Sequence, residues 1–108
     1  MIPFKFSPTV RFTVAGTIND DKGVAQPFSF WLICERWTSD RIDAFLKTDD
    51  KTLRDLMLAV AQDWGDVIDS GEPVPFSADN LDALLKQPGV AVTVFKAYAA
   101  EAGAKAKN

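Results

Sequence analysis

The chain has 108 residues, a net charge of −3, 47% apolar residues, eight Phe, three Trp, one Cys and no His. That length is enough for one domain, which can bury only about two-thirds of its unfolded surface, and the apolar fraction excludes disorder throughout. The absence of His removes the commonest general base, metal ligand and pH switch. The single cysteine, Cys34, excludes an internal disulfide and fits a reducing compartment.

Charge is unevenly spread: residues 1–37 carry +1, residues 38–87 carry −6 and residues 88–108 carry +2. An acidic centre repels phosphate backbones, so nucleic acid is not an expected partner. Such acids are ordinarily solvated helix faces; the sharper reading is a surface that meets a basic segment of a partner. The first residues lack a basic stretch followed by an apolar run, so no secretory signal is expected. No apolar run approaches the ~18 residues of a membrane span, so no membrane is expected either.

Ile2, Phe4, Phe6, Val10, Phe12 and Val14 occupy even positions with mostly polar residues between them. Period two predicts half-buried strands. Pro8 cannot donate to a ladder, which predicts a short strand near Phe4–Phe6 and a longer one from Thr9 to Ile18. Asn19-Asp20-Asp21-Lys22-Gly23 is a hairpin loop. Phe28, Phe30, Leu32 and Cys34 then share one strand face, with Ser29, Trp31, Ile33 and Glu35 on the other. Both faces are rather apolar, so the second needs a cover or is an interface between copies. These aromatics are ordinarily core and cross-strand packing; a binding use would fall on Trp31 or Trp37.

Thr38 or Ser39 caps a helix over about Asp40 to Lys47, with Ile42, Phe45 and Leu46 on its stripe. Asp49 or Asp50 caps the next. Leu53, Leu56, Met57, Val60, Ala61 and Trp64 follow helical spacing, and Gly65 can stop that helix. Trp64 reads as a core plug at its end. Asp69-Ser70-Gly71 is a turn, and Pro73 and Pro75 enforce extended chain. Ser77 caps a helix from Ala78 to Gln87, and Pro88 suits the first position of a last helix whose stripe is Val90, Val94, Phe95 and Tyr98. The fold expected is α+β: an N-terminal antiparallel hairpin or small sheet of two or three strands in residues 1–37, about four helices in 38–103, and a frayed tail at 104–108.

Chemistry finds little support. Asp63, Asp66 and Asp69 could gather around a hard cation, but without EF-hand spacing they read as solvated loop acids. Cys34 lies on an apolar strand face and reads as an inert buried thiol. Ser and Thr have no imidazole to activate them, and no glycine-rich phosphate loop occurs. The protein is therefore expected to be neither an enzyme nor dependent on a cofactor or metal.

The second half has a further character. Trp64, Val67, the Gly71-x-Pro73-Val74-Pro75-Phe76-Ser77 turn, Leu81 with Leu84-Leu85, then Pro88-Gly89-Val90 and Tyr98 resemble the tail assembly chaperones of long-tailed bacteriophages. The resemblance implies a non-catalytic protein acting in the host cytoplasm. It would hold the tape measure protein in solution and deliver it to tail tube subunits. It also implies that the terminal tail is where a partner docks or a frameshifted longer product begins. A partner helix would lie in a groove, for which the candidates are Leu81, Leu84, Leu85, Phe95, Tyr98 and Trp37. A homo-oligomer is possible on the sheet's second face. The alternative is a small structural tail or head-completion component that stays in the virion.

Overall fold

In a computed structural model that describes residues 1, 2 and 4–103, alternation and turn chemistry build a three-stranded antiparallel sheet. The predicted tail at 104–108 lies outside the described residues. Strand β1 (Thr9–Asn19) pairs along its whole length with β2 (Ala25–Glu35). The turn between them is held by Asp20, whose Oδ1 accepts from the backbone N–H of Lys22 (2.9 Å) and Val24 (3.0 Å). These bonds favour the ionised carboxylate and hold its pKa below the usual range. No strand forms at Phe4–Phe6: Pro8 has no N–H to give a ladder, and the partner strand β2 ends at Glu35. Arg36 closes the base of the hairpin: its backbone N–H donates to Pro8 O (2.8 Å) and its Nε to Ser7 O (2.9 Å).

Helix α1 (Ser39–Lys47) starts at Thr38, whose hydroxyl accepts from Arg41 N, and buries none of its side chains fully. Helix α2 (Leu53–Val60) starts at Thr52 rather than at an aspartate. Thr52 and Asp55 form a reciprocal capping box, Thr52 N donating to Asp55 Oδ2 (3.0 Å) and Asp55 N to Thr52 Oγ1 (3.3 Å). The expected caps fail for a local reason: Asp50 is in the left-handed region at φ 66°, within the turn before the helix.

The largest correction lies at 61–65. The helix expected to run through Trp64 ends at Val60, and the chain passes directly into strand β3 (Ala61–Gly65). Ala61 serves both elements, giving its N–H to Met57 O while its ψ of 137° is already extended. β3 pairs antiparallel with β2, setting Trp64 opposite Leu32 and Gly65 opposite Trp31. Trp64 is buried in either conformation, which is why the helical stripe included it. Gly65 is not a helix stop. A Cβ there would lie 2.1 Å from the Trp31 ring, so glycine is present because the indole lies across its backbone, with Arg11 stacked 4.2 Å from the indole on that face. Gly65→Ala is expected to cost about 1–2 kcal/mol. It should also move Trp31 outward, seen as a red-shifted tryptophan emission and a lower denaturation midpoint.

A second sheet of two short strands follows, β4 (Ile68–Asp69) and β5 (Glu72–Pro73). The predicted turn is the loop between them, with Ser70 at φ 52° and Gly71 at φ 81°, the positive pair that a two-residue hairpin demands. Helix α3 (Ala78–Leu85) is capped by Ser77, which accepts from Asn80 N (3.1 Å), and ends two residues before the expected Gln87. Helix α4 (Val90–Ala102) starts after Gly89 at φ 82°. Pro88 is therefore outside the helix, where it limits the turn rather than filling the first helical position.

One core joins these elements. Val10, Phe12, Val14, Phe30, Leu32 and Cys34 from the sheet meet Leu56, Met57, Val60, Leu81, Leu85, Val90, Val94 and Tyr98 from the helices, with Trp64 beside them. Helix α4 lies against β1 and α2, and α2 also meets α1 and α3. The fold is α+β, a three-stranded sheet with four helices and one extra small hairpin. The outer sheet face carries Arg11, Trp31, Ile33 and Asp63, with Trp31 and Ile33 half-buried. No helix of the described residues is long and apolar enough to cross a membrane.

Candidate binding cleft

Three elements leave an open apolar cleft where they fail to meet. The end of β1 and the first half of β2 supply Ile18, Phe28 and Phe30; the chain entering β4 supplies Asp66, Val67 and Ile68; the end of α3, the following turn and the start of α4 supply Leu84, Gln87 and Val90. The cleft holds about 220 Å³. A smaller hollow of about 100 Å³ adjoins it, sharing Ile18, Phe28 and Val90 and reaching Pro88, Gly89 and Thr93. Phe28 and Phe30 stack with centroids 6.3 Å apart, making a flat aromatic wall. Gly16 allows this: the Phe28 ring crosses it so closely that a Cβ would sit 2.9 Å away. Ile18 and Ile68 are 48% and 62% exposed, so the rim itself is apolar. Asp66 is the one charged lining residue, at φ 65°.

The 66–76 excursion that forms one wall is fastened from beneath by Trp64. Its Nε1 donates to Val74 O (2.8 Å), and Phe76 meets its ring edge-on at 5.5 Å. Val74 N donates to Val67 O (2.8 Å), extending the hairpin towards the cleft. Asn80 Nδ2 then ties Pro75 O to α3 (2.9 Å).

The six residues proposed from sequence divide by this geometry. Leu84 is half-buried and lines the cleft. Leu81, Leu85 and Tyr98, at 2%, 3% and 0% exposed, are core, because they occupy the inward stripe of α3 and α4; the expected exposed sides of Leu81 and Leu85 do not exist. Phe95 is half-buried against the core and does not line the cleft. Trp37 lies at the other end of the sheet, its ring edge-on to Phe45 (5.6 Å) and under the Arg41 guanidinium (4.0 Å). Its Nε1 is buried without a hydrogen-bond partner.

Sequence reasoning missed Ile18, Phe28, Val67 and Ile68 as a group. Ile18 and Phe28 share the core-facing parity of their strands but lie beyond the helices' reach. Only the hairpin register, which places Ile18 opposite Gln26 and Gly16 opposite Phe28, shows that two strand ends overhang the core. The turn was legible in the sequence; neither this register nor the position of the 66–68 segment was.

The other features that could carry chemistry are accounted for by packing. Cys34 is fully buried, and burial pushes its thiol up to about 12 from 9.0. The folded state thus holds this proton more tightly than the unfolded chain. The associated stability is complete below about pH 9 and falls as pH rises towards 12, by up to about 1.4 kcal/mol per pH unit. Cys34→Ala should remove that slope in denaturation curves at pH 8 and 10, and a thiol reagent at pH 8 should label Cys34 only on unfolding. Among the described residues, no group of three or more His, Cys, Asp or Glu could hold a metal ion. Asp63 instead accepts from Trp64 N (2.8 Å).

Comparison with protein-family models, curated proteins and solved structures gives no match.

Proposed function

We propose that the protein is a non-catalytic binding protein that takes an apolar segment of a partner into the cleft beside Leu84. The observation that supports this reading is the cleft's chemistry: a mainly aromatic and aliphatic lining, an apolar rim, and Ser29, Gln87 and one carboxylate as its polar groups. A groove of this kind rewards an amphipathic segment presenting an apolar anchor. Its volume is below the roughly 300–1,000 Å³ usual for small-molecule sites, which favours a side chain over a free metabolite.

The resemblance of the second half to phage tail assembly chaperones makes the tape measure protein the partner, held in solution in the host cytoplasm and handed to tail tube subunits. Of the six residues expected from sequence, Leu84 is then the one at the centre of the client's path. Co-expression with the tape measure protein of the same phage tests this. The client should be soluble only with this chain and co-elute with it on size exclusion, and Leu84→Asp should abolish co-elution while leaving the circular dichroism spectrum intact. A client that stays insoluble while this chain elutes alone removes the chaperone reading.

A further inference from the structure

The molecule carries a second exposed apolar feature, at the opposite end from the cleft, with the Arg36 guanidinium 6.0 Å from the Phe6 ring. Ahead of the Ser7–Pro8 base, Phe4 is 95% exposed and Phe6 61% exposed, with Lys5 between them. The base of this arm is fixed. Arg36 grips Ser7 O and Pro8 O, and its Nη1 donates to Ala102 O at the C-terminal end of α4 (2.6 Å). The cleft is lined by Val90, at the other end of that helix.

The arm cannot fill its own cleft. Ile18 lies nine residues along β1 from Thr9, about 30 Å at strand rise. Phe6 and Phe4 precede Thr9 by three and five residues, so even fully extended they reach only about 11 and 18 Å from it. A second molecule has no such limit. We infer that the cleft receives the N-terminal arm of a second copy of this chain, Phe4 entering the cleft and Phe6 lying along its rim, so that molecules associate head to tail.

Size, spacing and charge agree on this occupant. An apolar cavity of about 150 Å³ accepts a benzene ring, so the cleft of about 220 Å³ suits one phenyl group, the second lying along its apolar rim. Phe4 and Phe6 are two residues apart, hence on one side of an extended chain. The intervening Lys5 comes from the basic part of the chain, whereas the cleft wall carries Asp66, with Asp69 and Glu72 on the hairpin beside it. Two phenylalanines bury about 300–500 Å² between them, less than the ~800 Å² per partner of a stable complex. The association is therefore weak and reversible, which keeps the cleft covered yet lets a tighter client displace the arm. This inference rests on the cleft being a binding site, but not on who the client is.

Head-to-tail contacts use two different patches and can extend into rings or chains, and this gives a decisive test with the purified chain alone. Phe4→Ser/Phe6→Ser removes the arm, and Ile68→Lys, at an exposed rim position, blocks the cleft and repels Lys5. Sedimentation velocity of the unaltered chain should show concentration-dependent assembly that weakens in high salt. Each variant alone should be monomeric. Mixed together, they should form a dimer that grows no further, because only one intact arm and one intact cleft remain. An unaltered chain that stays monomeric at high concentration, assembly that survives loss of both phenylalanines, or a mixture that remains monomeric overturns the inference. Since no client is present, these outcomes are independent of the co-expression result.

Discussion

Trp64→Ala should destabilise the protein by about 3–5 kcal/mol, the range for removing a buried large aromatic. Trp64 is 6% exposed and faces Leu32 across the β2–β3 ladder. It also does something a core aliphatic could not, since its Nε1 holds Val74 O and its ring holds Phe76. The loss should thus have two parts, a cavity under the sheet and the release of the 66–76 wall. A small domain has about 5–15 kcal/mol in total, so the variant should lie near its folding limit at 37 °C. Trp64→Phe separates the two parts. It keeps most of the apolar volume but orphans Val74 O, and it should give faster hydrogen exchange in residues 66–76 with a smaller drop in global stability.

Tyr98→Phe should cost about 2–3 kcal/mol, far more than removal of one exposed hydroxyl. The Tyr98 hydroxyl donates to Glu35 O (2.8 Å) and accepts from Trp37 N (3.0 Å). It therefore satisfies both backbone groups where β2 stops and the chain turns towards α1, and its loss leaves a donor and an acceptor unpaired. The ring still packs at 6.0 Å from Phe12, so the apolar contribution survives and the effect isolates the hydrogen bonds. Burial raises the Tyr98 pKa, in keeping with a hydroxyl that acts as a structural donor. Equilibrium urea unfolding measures the cost. A change below about 0.5 kcal/mol, the usual scale of surface substitutions, would mean that water replaces the hydroxyl at this junction.

The two long N-terminal strands, their hairpin, four helices, the Ser77 cap and, between Thr38 and Ser39, the place of the first cap were legible because each rests on local chemistry. Alternation set the faces of β1 and β2, and short polar side chains marked the two caps. The failure at Ala61–Gly65 has a definite cause. Trp64 is inward by both the helical and the strand period, so its burial could not choose between them. What decides is non-local: β2 has a free edge, and Trp31 needs a residue without a side chain opposite it. Thr52 was passed over because the two preceding aspartates are equally good caps in isolation, and only the reciprocal bond with Asp55 distinguishes it. Pro88 was misplaced by two residues because Gly89, at φ 82°, takes the capping position.

The binding residues were less legible than the fold. A leucine stripe on a short helix does not reveal which member faces its own core, and of Leu81, Leu84 and Leu85 only Leu84 reaches the cleft. The remaining walls come from strand ends and a hairpin flank separated by up to about 50 residues of sequence, and no local pattern links them. The arm bearing Phe4 and Phe6 has the period of a strand without a strand's neighbours, which local propensity alone could not foresee.

The central claim is that the cleft between Ile18, Phe28, Val67, Ile68, Leu84 and Val90 is where this protein engages an apolar segment. Backbone amide chemical shifts of the isotopically labelled protein, titrated with soluble amphipathic peptides that present an apolar anchor, test it most directly. The account predicts that the largest perturbations fall on those six residues and on Asp66, with the Arg11–Trp31 face unchanged. Perturbations centred on Trp31 and Ile33, or none at saturating segment, would contradict it.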